Sequence, residues 1–82
     1  MKLPRGLSGR ALARALERNL GYRIVHERGG HIVLETESPA HHRIAIPDHP
    51  NLRIGTLNAI IKAIAAHKSL DKDEVIALLK AL

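Results

Sequence analysis

Two adjacent glycines, Gly29 and Gly30, separate two runs in which apolar and polar residues alternate or nearly do so. Glycine adopts the positive φ that a two-residue hairpin turn demands, so the flanking runs are expected to pair as antiparallel strands. The run that follows, His31 to Glu37, reads as a strand with clear sides. Ile32, Leu34 and Thr36 point one way, and His31, Val33 and Glu35 the other. The run before the turn, Tyr22 to Glu27, has no clean parity, because Ile24 and Val25 are neighbours. Ser38-Pro39-Ala40 makes a second turn, and His41 to Ile46 reads as a third strand. Ile44 and Ile46 share one of its faces; His41, Arg43 and Ala45 share the other. If Ile32, Leu34, Ile44 and Ile46 line the core, then His31, Glu35, His41 and Arg43 stand on an open face.

Helical spacing flanks this meander. Ser8 suits an N-cap, and Gly9 to Asn19 place Leu12, Ala15, Leu16 and Asn19 on one stripe, which Leu20 closes. Gly21 is the expected stop. The opposite face carries Arg10, Arg14 and Arg18. Like charges four residues apart cost a helix a few tenths of a kcal/mol (roughly 0.2–0.5) per pair. This face is either simply solvated or a stripe that grips phosphates. After the loop Pro47-Asp48-His49-Pro50-Asn51, a second helix is expected from near Gly55-Thr56, with Thr56 as its cap, to about His67. Its stripe is Leu57, Ile60, Ile61 and Ile64. A third helix begins at Asp71, where Glu74 completes a capping box and Leu70 and Val75 form a hydrophobic staple. Val75, Leu78, Leu79 and Leu82 make its apolar stripe. The order describes an α+β chain: helix, three-stranded antiparallel meander, helix and an additional C-terminal helix.

A chain of 82 residues is one domain, spanning 1–82, with a core at about 7–67 and the last helix at about 71–82. It has no cysteine, so neither disulfides nor thiolate zinc sites are available. No apolar run approaches membrane-spanning length and the N-terminus lacks a signal-peptide segment, so a cytoplasmic protein without a membrane partner is expected. The formal charge of +5 and pI near 10.3 favour a polyanionic partner. With no Phe, no Trp and one Tyr, bases cannot be held by stacking on an aromatic platform. RNA would have to be recognised through phosphate, 2′-hydroxyl and shape.

Five short motifs occur in order: Ser8-Gly9-Arg10, Gly21-Tyr22, Gly29-Gly30-His31, Ile46-Pro47-x-His49, and Leu52-x-x-Gly55-Thr56-Leu57-x-x-Ile60. This string, over about residues 3–67, resembles the HicA (YcfA-like) family of toxins from toxin–antitoxin pairs. The resemblance implies a double-stranded-RNA-binding-like α-β-β-β-α fold. It also implies an mRNA interferase that cleaves transcripts without a metal or cofactor and is covered by a HicB-like antitoxin. The family's essential histidine stands in a Gly-Ser-His or Gly-Gly-His motif opening the second strand, which here is His31. Gly30 replaces the serine of many members, and Ile32 a second histidine.

A single histidine can do much of this chemistry, because RNA carries its own nucleophile. The enzyme must take the 2′-hydroxyl proton, steady the charged phosphorane and protonate the leaving 5′-oxygen. Histidine serves as base or acid near neutral pH, and a positioned one contributes about 10²–10⁴-fold. Arg28, beside the turn, and Arg43, on the same face, are candidates for steadying phosphate charge. His49 is the leading candidate for a second proton carrier, and His26 follows. Gly29 and Gly30 leave room for an RNA backbone, and Gly55-Thr56 can hold a phosphate or merely cap a helix. Lone histidines are usually surface groups, which is the plainer reading of His26, His41, His42 and His67. His41 and His42 face opposite ways and cannot share a metal ion. Glu35 and Glu37 read as solvated edge charges, unless Glu35 orients a histidine. Two other classes stay open: a non-catalytic RNA-binding module, and a domain whose basic face docks an acidic protein.

Overall fold

The computed structural model describes residues 3–80. The elements are α1 (Gly9–Asn19), β1 (Arg23–Arg28), β2 (His31–Thr36), β3 (His42–Pro47), α2 (Ile54–Lys68) and α3 (Lys72–Lys80). The strands form one antiparallel sheet in the order β1-β2-β3. This is the α-β-β-β-α layout with a further helix, as the alternation and the turn residues require.

Local chemistry sets the ends of α1. The Ser8 hydroxyl accepts from the Ala11 N–H at 3.0 Å, and Gly21 takes φ +72 just beyond the helix. Leu12, Ala13, Ala15, Leu16 and Leu20 are buried along its inner face. α2 begins earlier than expected, at Ile54, with Arg53 at the N-cap and no side-chain cap. Thr56 therefore lies inside the first turn and does not cap the helix. The first turn closes through the backbone instead, with Leu57 N–H donating to the Arg53 carbonyl at 2.9 Å. Glu74 of α3 reaches back to accept from the Asp71 N–H at 2.9 Å, which is half of the expected capping box.

The core lies between the sheet and the helices. Ile32, Leu34 and Ile46 meet Leu12, Leu16, Leu57, Ile61 and Ile64, all fully buried. Each such side chain contributes about 1.5–3 kcal/mol through removal from water. α1 lies over all three strands, while α2 packs on β3. α3 packs on α1 and α2 rather than on the sheet, burying Val75, Ile76 and Leu79. The Asn19 side chain donates to the Leu78 carbonyl at 2.8 Å across the α1–α3 contact. Ile76 is buried although the expected stripe omitted it, and Leu82 lies outside the described residues.

The ambiguous parity of the first strand has a structural cause. β1 and β2 are in register at Ile24↔Leu34 and again at His26↔Val33, so Val25 is an extra residue in a β-bulge. The bulge flips everything after it. Ile24 faces the helices, but His26 and Arg28 turn to the open face with His31, and Glu27 turns to the helix side. Without it, Glu27 and Arg28 would exchange faces.

Candidate active site

β2 presents His31, Val33 and Glu35 on the face that no helix covers. His31 is its first residue, paired with Arg28 on one side and Pro47 on the other. Gly29 and Gly30 take φ +57 and +79, as a type I′ hairpin turn requires. A Cβ on either would meet nothing within 4 Å, so their glycine identity serves the backbone and the space above the turn is open. The imidazole of His31 is exposed, and its Nδ1 lies 3.2 Å from the Gly29 carbonyl. A carbonyl only accepts, so Nδ1 donates in this contact and Nε2 is left outside it.

Arg28 stands directly across the strand from His31, as expected from the turn. His49 is at the same end of the sheet: it lies two residues beyond Pro47, and its carbonyl accepts from the Gly9 N–H at 3.0 Å. Arg43 is elsewhere. It pairs with Glu35, four positions along β2 from His31, and at about 3.3 Å per residue it is a strand length away. Its guanidinium lies 3.8 Å from the Glu35 carboxylate and donates to His26 Nε2 at 3.3 Å. Arg43 thus shares the face of His31 as expected, but register, which parity alone does not specify, sets its backbone four positions further along the sheet, with its guanidinium reaching back to His26.

The arginines of α1 differ from one another. Arg14 and Arg18 are exposed. Arg10 forks onto both carboxylate oxygens of Glu27 at 2.5 and 2.8 Å, and also reaches Asp48 at 3.0 Å. The guanidinium hydrogen bonds hold the Glu27 carboxyl below the usual carboxylate range, and Glu27 in turn raises Arg10 further. Glu27 and Asp48 drew no notice in the sequence, because their partner is a helix residue that only the fold brings near.

The remaining histidines have partners. His41 points to the open face and lies 3.4 Å from Glu35 and 3.9 Å from Glu37. These three could converge on a cation, although Arg43 already lies against Glu35. Glu35 therefore lies against His41 and not against His31. His42 points the other way, sharing a 2.8 Å hydrogen bond with the Tyr22 hydroxyl and stacking on His67 at 4.4 Å between ring centroids. Burial first, then the charges of His67, His41 and Lys68, push His42 below the ordinary histidine range. Burial likewise pushes the Tyr22 hydroxyl up and Lys68 down.

The fold and this surface define a class: a small basic α+β domain whose helices cover one sheet face and leave a histidine and arginines on the other. The family model for the HicA toxin of bacterial toxin–antitoxin systems matches residues 9–65, from the start of α1 to the last turns of α2, and the chain belongs to that family. It is a toxin of a toxin–antitoxin system, and membership implies an antitoxin partner. No curated protein and no solved structure matches the chain. Among the described residues no helix is long and apolar enough to cross a membrane.

Proposed function

We propose that this toxin is a metal-independent endoribonuclease whose proton-transfer residue is His31, acting on mRNA and neutralised by a HicB-like antitoxin. The observation that carries the reading is the exposed His31 ring at the first residue of β2, held through Nδ1 by the Gly29 carbonyl, in a chain of the HicA family. In the proposed reaction Nε2 takes the proton of a ribose 2′-hydroxyl. The 2′-oxygen attacks the adjacent phosphorus, and the bond to the 5′-oxygen breaks. The products are a 2′,3′-cyclic phosphate and a free 5′-hydroxyl, which His49 or water supplies with its proton. Arg28, across the strand from His31, steadies the charge on the phosphorane. Arg14 and Arg18 hold more distant phosphates.

The test is cleavage of RNA in EDTA by the parent and by His31→Ala. The parent is expected to leave cyclic phosphate ends, and the variant to lose cleavage while its circular dichroism stays the same. Equal cleavage by both proteins would exclude His31. Binding that weakens steeply with salt, without scission by either protein, would instead identify a non-catalytic RNA-binding module.

A further inference from the structure

We propose that Arg10 is a positioning residue that holds His31 and His49 in one geometry from the helix side of the sheet. This rests on the ribonuclease reading above. His31 is flanked by Arg28 on β1 and Pro47 on β3. The chain neighbours of those two residues, Glu27 and Asp48, are the two carboxylates that Arg10 grips. One guanidinium therefore brackets β2 from both sides, directly behind the candidate histidine.

Three further contacts run through the same place. Asp48 N–H donates to the Gly30 carbonyl at 2.8 Å, tying the loop after β3 to the turn that precedes His31. Gly9 N–H donates to the His49 carbonyl at 3.0 Å, tying that loop to the start of α1. A Cβ on Gly9 would lie 1.9 Å from the Pro47 carbonyl oxygen, so only glycine lets α1 seat this close. The β1 bulge is also required, because it turns Glu27 toward Arg10. The surroundings argue against Arg10 as a phosphate contact. Its guanidinium is already taken up by both oxygens of Glu27 and by Asp48, which leaves it little donor capacity for a phosphate.

The two roles separate in kinetics. Arg10→Ala should lower kcat for a short RNA by about 10- to 100-fold, because small displacements of catalytic groups have effects of that size. KM and the salt dependence of RNA binding should stay within about twofold of the parent. Arg10→Lys should recover little, since an ammonium lacks the planar fork that grips both Glu27 oxygens while reaching Asp48. Asp48→Asn and Glu27→Gln, which keep side-chain shape, should each lower kcat in the same direction, and they carry the test if Arg10→Ala does not fold. An unchanged kcat, with KM raised, the salt slope reduced by about one and Lys restoring the parent, would overturn the proposal in favour of a phosphate contact. Should the parent cut no RNA, the ribonuclease reading fails but positioning is still decided by amide exchange and ring NMR. Faster exchange at Asp48 and Gly9, with shifted His31 and His49 ring signals in Arg10→Ala, supports the bracket. Unchanged exchange and ring signals overturn it.

Discussion

At the turn end of the sheet, His31 and His49 lie exposed beside two glycines, and the His31 ring is hydrogen-bonded to a backbone carbonyl two residues away. At the other end, His42 and His67 are stacked under Tyr22 and Lys68. His67 Nε2 donates to the Ala40 carbonyl at 2.8 Å, and Lys68 donates to Thr36 Oγ1 and the Ser38 carbonyl. The same side chain has two uses within one small sheet. Where histidines are tied to neighbouring elements they fasten the second hairpin to the end of α2. Where the ring stands exposed beside an open turn, it is reachable from solvent.

Substitutions can break that contrast, and the largest effect is expected at the open end. His31→Ala should lower the cleavage rate by about 10²–10⁴-fold, while thermal stability stays within about 0.5 kcal/mol of the parent. A comparable loss of stability would mean that His31 is a fastener like His42. Gly9→Ala forces α1 off the Pro47 carbonyl. It should cost about 1–3 kcal/mol or more in a urea melt and reduce activity through misplacement of the loop. Tyr22→Phe leaves His42 Nδ1 without its partner and should cost about 1–2 kcal/mol in the same melt, with cleavage almost unchanged.

The smallest effect concerns pH. His42 is held below the ordinary histidine range in the folded state, so the unfolded chain binds its proton first as pH falls. Its contribution to stability is therefore present above about 6.5 and declines as pH drops from there through the lowered folded value. A thermal melt series from pH 8 to 5 should show falling stability, and His42→Phe should flatten that slope. If the slope survives the substitution, the tied end of the sheet is not what senses acid.

Much of the fold was legible because local rules wrote it. Ser8, Gly21, Gly29 and Gly30 punctuate the chain by backbone preference alone, and the alternation from His31 onward put Ile32 and Leu34 inside. The Ile24-Val25 adjacency marked β1 as irregular without saying how. Thr56 misled because it is a good capping residue placed two positions past the true helix start. The candidate site was legible in its residue types, and in its geometry only where the members are close in sequence. His31 and Arg28 are joined by a two-residue turn, so their proximity is local. Arg43 shares a face with His31, but parity does not give distance along a strand.

By itself, then, the sequence determined the element order, the hairpin turn and the open face bearing His31, since each depends on residues within a few positions of one another. Only the tertiary structure decided the rest: the bulge at Val25, the seating of Gly9 on Pro47, the capture of Arg10 by Glu27 and Asp48, and the stacking of His42 on His67. Those partners lie 17 and 38 residues from Arg10. No periodicity reports a pairing between layers, because it depends on how closely a helix settles on a sheet and on which face each strand turns to meet it.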